Sequence, residues 1–90
     1  MSYSDVSDLK NDPSFQNRVT AACASEGEEN PEAVMPQIIW SVAASPGFGD
    51  AWASAVAGGV PDPGRDPAVI TDAQILSAVQ PALAALNAGA

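Results

Sequence analysis

The segment that decides the fold is residues 38–56, IIWSVAASPGFGDAWASAV. It consists of two apolar runs separated by Ser45, Pro46 and Gly47, and it contains both tryptophans of the chain. Proline followed by glycine suits a type II turn, because proline fixes φ and glycine accepts the positive φ that follows. The segment therefore predicts two apolar helices joined by a tight turn, with the rest of the chain covering them.

Phe48 lies just after this turn, and we expect it to fold back against Trp40 or Trp52. Asp50 is predicted to cap the following helix, which spans residues 51–57. This interpretation gives a helical hairpin with an aromatic plug. In the alternative, Phe48 and a tryptophan form an exposed anchor for a partner, since interfaces favour aromatic residues. That alternative predicts that Trp52→Ala mainly unfolds the domain, whereas Phe48→Ala spares folding and weakens assembly.

The size and charge of the chain limit its function. With 90 residues it is long enough for one domain, residues 1–90, with one modest core. Its formal net charge is −8, and its only basic residues are Lys10, Arg18 and Arg65. Binding to nucleic acid or to an anionic membrane needs clustered basic residues, so neither is expected. A basic protein partner remains compatible with this charge.

The residues needed for common catalytic sites are missing. Cys23 is the single cysteine and the chain contains no histidine, so a histidine base or imidazole metal ligand is absent. We expect Cys23 to be a buried, unreactive thiol. The sequence thus predicts a protein that is not an enzyme, with no catalytic, cofactor or metal site. It also has neither a membrane-length apolar run nor a basic start typical of a signal peptide, which predicts synthesis in a cytoplasm.

Two Asx-Pro pairs predict helix starts, because Asp or Asn caps a helix and proline suits its first position. After Asp12 a helix is expected from residue 13 to about 24 or 25, and after Asn30 another from residue 31 to about 44. A further short helix is predicted over residues 2–10. The apolar stripes of the two longer helices are Phe15, Val19, Ala22 and Cys23, and Met35, Ile38, Ile39 and Val42. Trp40 lies off the second stripe, so it faces either a second layer of the fold or solvent and a partner.

The last helix has the strongest local signal. Thr71 and Gln74 form a capping box, and Ile70 and Ile75 occupy the flanking hydrophobic-staple positions. We expect a bend at Pro81 and a frayed end at about residues 87–90. Its apolar stripe is Ile75, Leu76, Val79, Leu83 and Leu86.

Two irregular segments join these helices. Residues 26–32 contain four glutamates without the spacing of a calcium loop, which indicates a solvated linker. Residues 60–67 are too rich in proline for a helix or a central strand, and are predicted to form an ordered surface connection. The fold class expected is all-α, with four to five short helices in one compact domain and a Pro-rich connecting loop.

Several segments in order along the chain carry a family resemblance: YSDV at residues 3–6, DPSFQNRV at 12–19, AASPGFGDAWA at 43–53 and VITDAQILSAVQ at 69–80. Together they resemble a group of small minor virion proteins of tailed phages that infect actinobacteria. The resemblance implies a structural, non-enzymatic protein made in the bacterial cytoplasm and located in the virion. Such a protein binds in many copies to a capsid, head–tail or tail lattice, with further copies of itself as another partner.

The residues expected to make these contacts are the aromatic anchors and the Pro-rich loop. They are Trp40, Phe48, Trp52, Pro61, Pro63 and Arg65. The competing function is a small regulatory binder whose acidic surface mimics nucleic acid and occupies a basic site on a host protein.

Overall fold

Four helices form the described part of the chain. The computed structural model describes residues 9–45 and 47–88. The helices are α1 (Pro13–Ser25), α2 (Pro31–Ala43), α3 (Phe48–Ala57) and α4 (Asp72–Ala88), and the described ranges contain no strand. The predicted all-α fold with four helices is confirmed. Leu9 and Lys10 are also helical, while the remainder of the helix predicted over residues 2–10 lies outside the described residues.

The core is built by α1, α2 and α4, which pack against one another pairwise. Most members of the three predicted stripes are buried in it; Ala22, Met35 and Leu86 are only partly buried against it, and Leu76 is not part of it. Its buried apolar side chains are Leu9, Phe15, Val19, Cys23, Ile38, Ile39, Val42, Ala43, Phe48, Ile70, Ile75, Val79 and Leu83. The predicted hairpin is wrong in one respect: α2 packs along α1 and α4 and not to a comparable extent along α3. The physical reason is that α1 and α4 present longer apolar stripes than the short α3.

Two of the predicted helix caps are confirmed. The Asp12 carboxylate accepts a hydrogen bond from the Ser14 backbone N–H at 2.9 Å. In the capping box, the Gln74 backbone N–H donates to Thr71 Oγ1 at 3.1 Å, and the Thr71 N–H donates to Gln74 Oε1 at 2.9 Å. These bonds satisfy backbone donors that the first turn of a helix leaves without a partner.

One predicted helix start is wrong, and one predicted capping bond is missing. Helix α2 begins at Pro31, directly after Asn30, as expected, but the Asn30 side chain makes no capping bond; the Glu28 carboxylate accepts the Asn30 N–H at 3.3 Å. Helix α3 begins at Phe48 and not after Asp50, because Gly47 adopts the predicted positive φ, at 90°, and itself caps the helix. Its carbonyl accepts the Ala51 N–H at 3.0 Å, which starts the helical ladder. Helix α4 is described as far as Ala88, and the rest of the tail predicted to fray, residues 89–90, lies outside the described residues.

Candidate interaction surface

Apart from the exposed Glu32 in its first turn, the outer face of α2 carries no charge. Trp40 lies in this face with 47% of its surface exposed, although most large apolar residues of the described chain are buried. The exposed residues of α2 and its C-cap that surround it are small or uncharged. We call Ala33, Pro36, Gln37, Trp40, Ser41 and Ala44 the outer face of α2. Of the two positions left open for Trp40, the structure shows exposure to solvent.

Lys10 is a charged residue that contacts this face. Its Nζ lies over the Trp40 ring, 4.3 Å from the centroid, where the negative face of an indole attracts a cation. The Gln16 side-chain amide donates to the Lys10 carbonyl at 3.0 Å, which holds the backbone from which the side chain extends. In residues 9–45 and 47–88 the ion pairs are Arg18–Asp72 and Arg65–Asp62, so Lys10 has no carboxylate partner there. Within the part of the chain that the structure describes, Lys10 is thus a positive charge without an ion pair, and it borders an uncharged face.

The two other aromatic candidates contribute to the core. Phe48 is 3% exposed and packs edge-on against Phe15, with ring centroids 6.1 Å apart. Phe48 thus folds back onto α1, and the expectation that it also lies against Trp52 or Trp40 stays a prediction. Phe48 is also not the exposed anchor of the alternative interpretation, because it fills the space between α1 and the start of α3. Trp52 is half-buried and packs against the core.

The Pro-rich loop is ordered, as predicted, but only part of it faces solvent. Pro61 is exposed, whereas Pro63 and Gly64 are buried, so Pro63 is not an accessible contact residue. The Arg65 side chain is 80% exposed, and its Nε lies 3.9 Å from the Asp62 carboxylate. Such a long, exposed ion pair contributes little to stability. Pro61 and Arg65 are therefore the accessible members of the predicted docking loop.

Arg18 fixes the loop to α1, a role that the sequence did not reveal. Its guanidinium donates to the carbonyl of Gly64 at 3.0 Å, to the carbonyl of Ile70 at 2.5 Å and to the Asp72 carboxylate at 2.7 Å. Only 15% of the side chain is exposed. The planar fork of five N–H donors makes arginine suited to bridging several acceptors. Nothing in the local pattern around Arg18 indicates these partners, because they lie 46 to 54 residues away.

A pair of carboxyl groups reinforces the same junction. The Ser14 hydroxyl donates to Asp62 Oδ2 at 2.6 Å, and this bond lowers the pKa of Asp62 against the opposing effect of desolvation. Burial raises the pKa of Asp12, and the neighbouring Asp62 carboxyl raises it further, while the Ser14 backbone N–H opposes the rise. Asp62 Oδ1 is buried and receives no hydrogen bond from a fixed N–H or hydroxyl donor in the described residues. A protonated Asp12 carboxyl can donate a hydrogen bond to the neighbouring Asp62 carboxylate.

The chemical capacity of the described residues is limited. A cleft of about 490 Å³ lies beside the loop, lined by Ser14, Asn17, Arg18, Arg65, Pro67 and Asp72. Arg18 is occupied by its three acceptors there, which leaves Arg65 as the accessible cation. The predicted burial of Cys23 is confirmed at 0% exposure, and burial raises the pKa of its thiol. Residues 9–45 and 47–88 bring together no group of three or more side chains suited to holding a metal ion.

Within the described ranges, no helix combines the length and the apolar character that crossing a bilayer requires. Comparison of the chain with protein-family models, curated proteins and solved structures finds no match.

Proposed function

We propose that this protein is a non-enzymatic structural component of a tailed-phage virion, which binds a capsid, head–tail or tail lattice in multiple copies. The observation that carries the proposal is the exposure of Trp40 on the uncharged outer face of α2. The resemblance of four sequence segments to minor virion proteins supplies the identity of the assembly. The protein is made in the host cytoplasm and becomes part of the particle.

The exposed tryptophan supports a contact surface for energetic reasons. A large aromatic ring loses favourable burial energy when it is left in water, and interface centres are enriched in tryptophan. The other exposed large apolar residue of the described chain, Val56, is smaller and lies on α3. The outer face of α2 therefore offers the largest aromatic anchor for a partner.

The Pro-rich loop supports a second, polar part of the contact. Arg18 bonds the carbonyls of Gly64 and Ile70 and so fixes the ends of the loop segment that carries Arg65. A surface that is already ordered loses less conformational entropy when it binds. Arg65 thus lies in an accessible and preorganised segment, with the exposed Pro61 beside it, in keeping with their predicted role in docking.

The proposal is tested by quantitative mass spectrometry of density-purified particles of the phage that encodes the chain. A fixed ratio to the major capsid or tail-tube protein supports it. Phage carrying Trp40→Ala is expected to lose the protein from its particles, whereas Val56→Ala retains it. Circular dichroism of both purified variants checks that each keeps its helices. Absence of the wild-type protein from particles overturns the proposal.

A second candidate function, the acidic binder of a basic host protein, is favoured by one specific feature. Glu26, Glu29 and Glu32 are exposed in and beside the α1–α2 loop, and none has an ion pair within the part of the chain that the structure describes. Absence from particles, together with binding to a host protein that disappears at high salt, supports this candidate, because salt screens exposed charges. Association with a phage lattice protein that persists at high salt supports the structural one.

A further inference from the structure

We infer that the outer face of α2 binds a second copy of this chain, in an antiparallel α2–α2 pair related by a twofold axis. The inference names a partner for the face on which the proposed function rests, but its test uses the purified protein alone. Three features carry it: the self-complementary shape of the face, its lack of charge, and the opposite charges found at its two ends.

The spacing of large and small residues makes this face self-complementary. A twofold axis that passes between Pro36 and Gln37 places Trp40 of one copy opposite Ala33 of the other, and the reverse. Each tryptophan then lies about 5 Å from the axis along the helix, since an α-helix rises about 1.5 Å per residue. A large ring facing a small alanine is the knob-and-hole arrangement that lets two helices approach closely. In such a pair each contact occurs twice, as a twofold interface requires.

The charges at the two ends of the face set the direction of the pair. Lys10 lies over Trp40 at one end and has no carboxylate partner in the described residues. Exposed Glu29 and Glu32 lie at the other end, before and within the first turn of α2. An antiparallel pair brings each Lys10 close to the glutamates of the second copy. A parallel pair instead places like charges together, which is unfavourable.

The centre of the face has the composition that pairing requires. Every member of the outer face between these two ends is uncharged, although the chain as a whole has a formal net charge of −8. Burying it therefore leaves no charged group of the face desolvated without a partner. The net charge still produces repulsion between two copies, so moderate salt should strengthen the pair until it begins to screen the Lys10 contacts.

The first experiment measures the mass of the purified full chain by sedimentation equilibrium over a wide range of concentration. We expect a reversible monomer–dimer equilibrium. Trp40→Ala is expected to raise the dissociation constant by about 10- to 100-fold, the usual effect of removing a central interface aromatic. Val56→Ala, which shortens the exposed apolar residue of α3, is the matched control and should leave the constant unchanged. Circular dichroism verifies that both variants remain folded.

Two charge-reversal variants distinguish the antiparallel α2–α2 pair from other ways in which this face could bind. Lys10→Glu alone and Glu32→Lys alone should each be monomeric, because each homodimer then brings like charges together. Mixed in equal amounts, the two variants should form a heterodimer, since both charge contacts are restored across it. The double variant Lys10→Glu/Glu32→Lys should also dimerise, with both contacts reversed in sign.

Three results overturn the inference. They are a wild-type chain that stays monomeric at the highest attainable concentration, a dimer that Trp40→Ala leaves intact, and single charge variants that fail to associate when mixed. A monomeric wild-type chain that is nevertheless present in particles overturns only this inference and leaves the proposed function standing. If the dimer forms as expected but the protein is absent from particles, the proposed function is overturned and this inference stands.

Discussion

At the scale of single residues, Arg18 connects parts of the chain that are distant in sequence. Its three acceptors are the carbonyls of Gly64 and Ile70 and the carboxylate of Asp72. Gly64 and Ile70 are buried, so without the guanidinium their carbonyls would lose a partner that water cannot readily replace. The exposed Asp72 contributes less, because solvent screens it.

We therefore predict that Arg18→Ala lowers the free energy of unfolding by about 2–3 kcal/mol, the usual penalty for losing hydrogen bonds to a charged group and leaving buried acceptors unpaired. Urea denaturation followed by circular dichroism measures this. Arg65→Ala is the matched control, since that side chain is 80% exposed and should change stability by less than about 1 kcal/mol. Equal effects of the two substitutions would refute the role assigned to Arg18.

Gly64 is needed because the loop passes very close to α1. A Cβ atom at this position would lie 2.5 Å from Asp12 Oδ2 and 3.1 Å from Phe15 Cβ. Asp12 cannot easily move away, because its carboxylate accepts the Ser14 N–H at the start of α1. We predict that Gly64→Ala lowers the free energy of unfolding by about 1–3 kcal/mol, the range for an overpacked site.

The control for this substitution is Gly58→Ala. A Cβ there has its nearest contact at 3.4 Å, with the Ser54 carbonyl, and its φ of −82° is accessible to alanine. The melting temperatures of the two variants should therefore differ clearly. If Gly64→Ala melts no lower than Gly58→Ala, the close approach of loop and helix is not the reason for a glycine at position 64.

At the scale of elements, α3 is attached to the core by its first residue, and Trp52 packs against the core one turn later. Phe48 is 3% exposed and contacts Phe15, whereas Val56 near the other end of the helix is 41% exposed. We predict that Phe48→Ala lowers the free energy of unfolding by about 3–5 kcal/mol, as expected for removing a buried phenylalanine. Val56→Ala on the same helix should have little effect. Retention of wild-type stability by Phe48→Ala would restore the alternative of an exposed anchor.

Most helices could be predicted from the sequence because their signals are local. The Asp12 cap, the capping box of Thr71 and Gln74, and the apolar stripes repeat within a few residues, where sequence reasoning is strongest. The helix predicted to start after Asp50 starts at Phe48, because Gly47 is both the turn residue and the N-cap of α3. Which helices pack against α2 depends on the relative lengths of the apolar stripes of all the helices. That is a property of the tertiary structure and cannot be predicted from the sequence around α2.

The candidate surface was predictable only in part. Trp40 could be identified because it departs from the buried stripe of its own helix, a local property. Phe48 and Pro63 are predicted contact residues, but both are buried, Phe48 against Phe15 of α1, and their sequence neighbours do not reveal this burial. The role of Arg18 is not predictable for the same reason, since its acceptors lie in the last third of the chain.

At the scale of the whole molecule, the pair of Asp12 and Asp62 makes stability depend on pH. The pKa of Asp12 is raised by burial above the ordinary value of 3.8, so the folded state retains this proton more strongly than the unfolded state. This stronger proton binding adds to the free energy of unfolding at low pH, and the added stability is lost as the pH rises through the pKa of Asp12 in the folded state. Asp62 has a lowered pKa, so its contribution is present above 3.8 and is lost as the pH falls through its folded pKa.

We therefore predict that Asp12→Asn is more stable than the wild type at neutral pH, by about 1 kcal/mol, the usual net value of one hydrogen bond. Asparagine retains a cap oxygen for Ser14, and its amide can donate permanently to Asp62. The advantage should shrink as the pH falls and Asp12 becomes protonated. Urea midpoints measured from mildly acidic to neutral pH follow this change.

The neighbouring substitution provides the comparison. Asp62→Asn removes a carboxylate that the Ser14 hydroxyl stabilises, so it should lower stability at neutral pH. At neutral pH the two substitutions are thus expected to change stability in opposite directions, although the two side chains are neighbours. If Asp12→Asn is instead less stable than the wild type by the same amount at every pH, a proton on Asp12 does not stabilise its contact with Asp62.

The connection that Arg18 makes between α1 and the start of α4 also constrains the order of folding. Helices α1 and α2 are synthesised first and pack against each other, but Ile70, Ile75, Val79 and Leu83 complete their core only later. Closing this long loop costs entropy before its contacts are gained, which slows folding. While the chain is being made, the apolar faces of α1 and α2 thus stay open until α4 has left the ribosome, and in that interval the nascent chain is most exposed to chaperones and proteases.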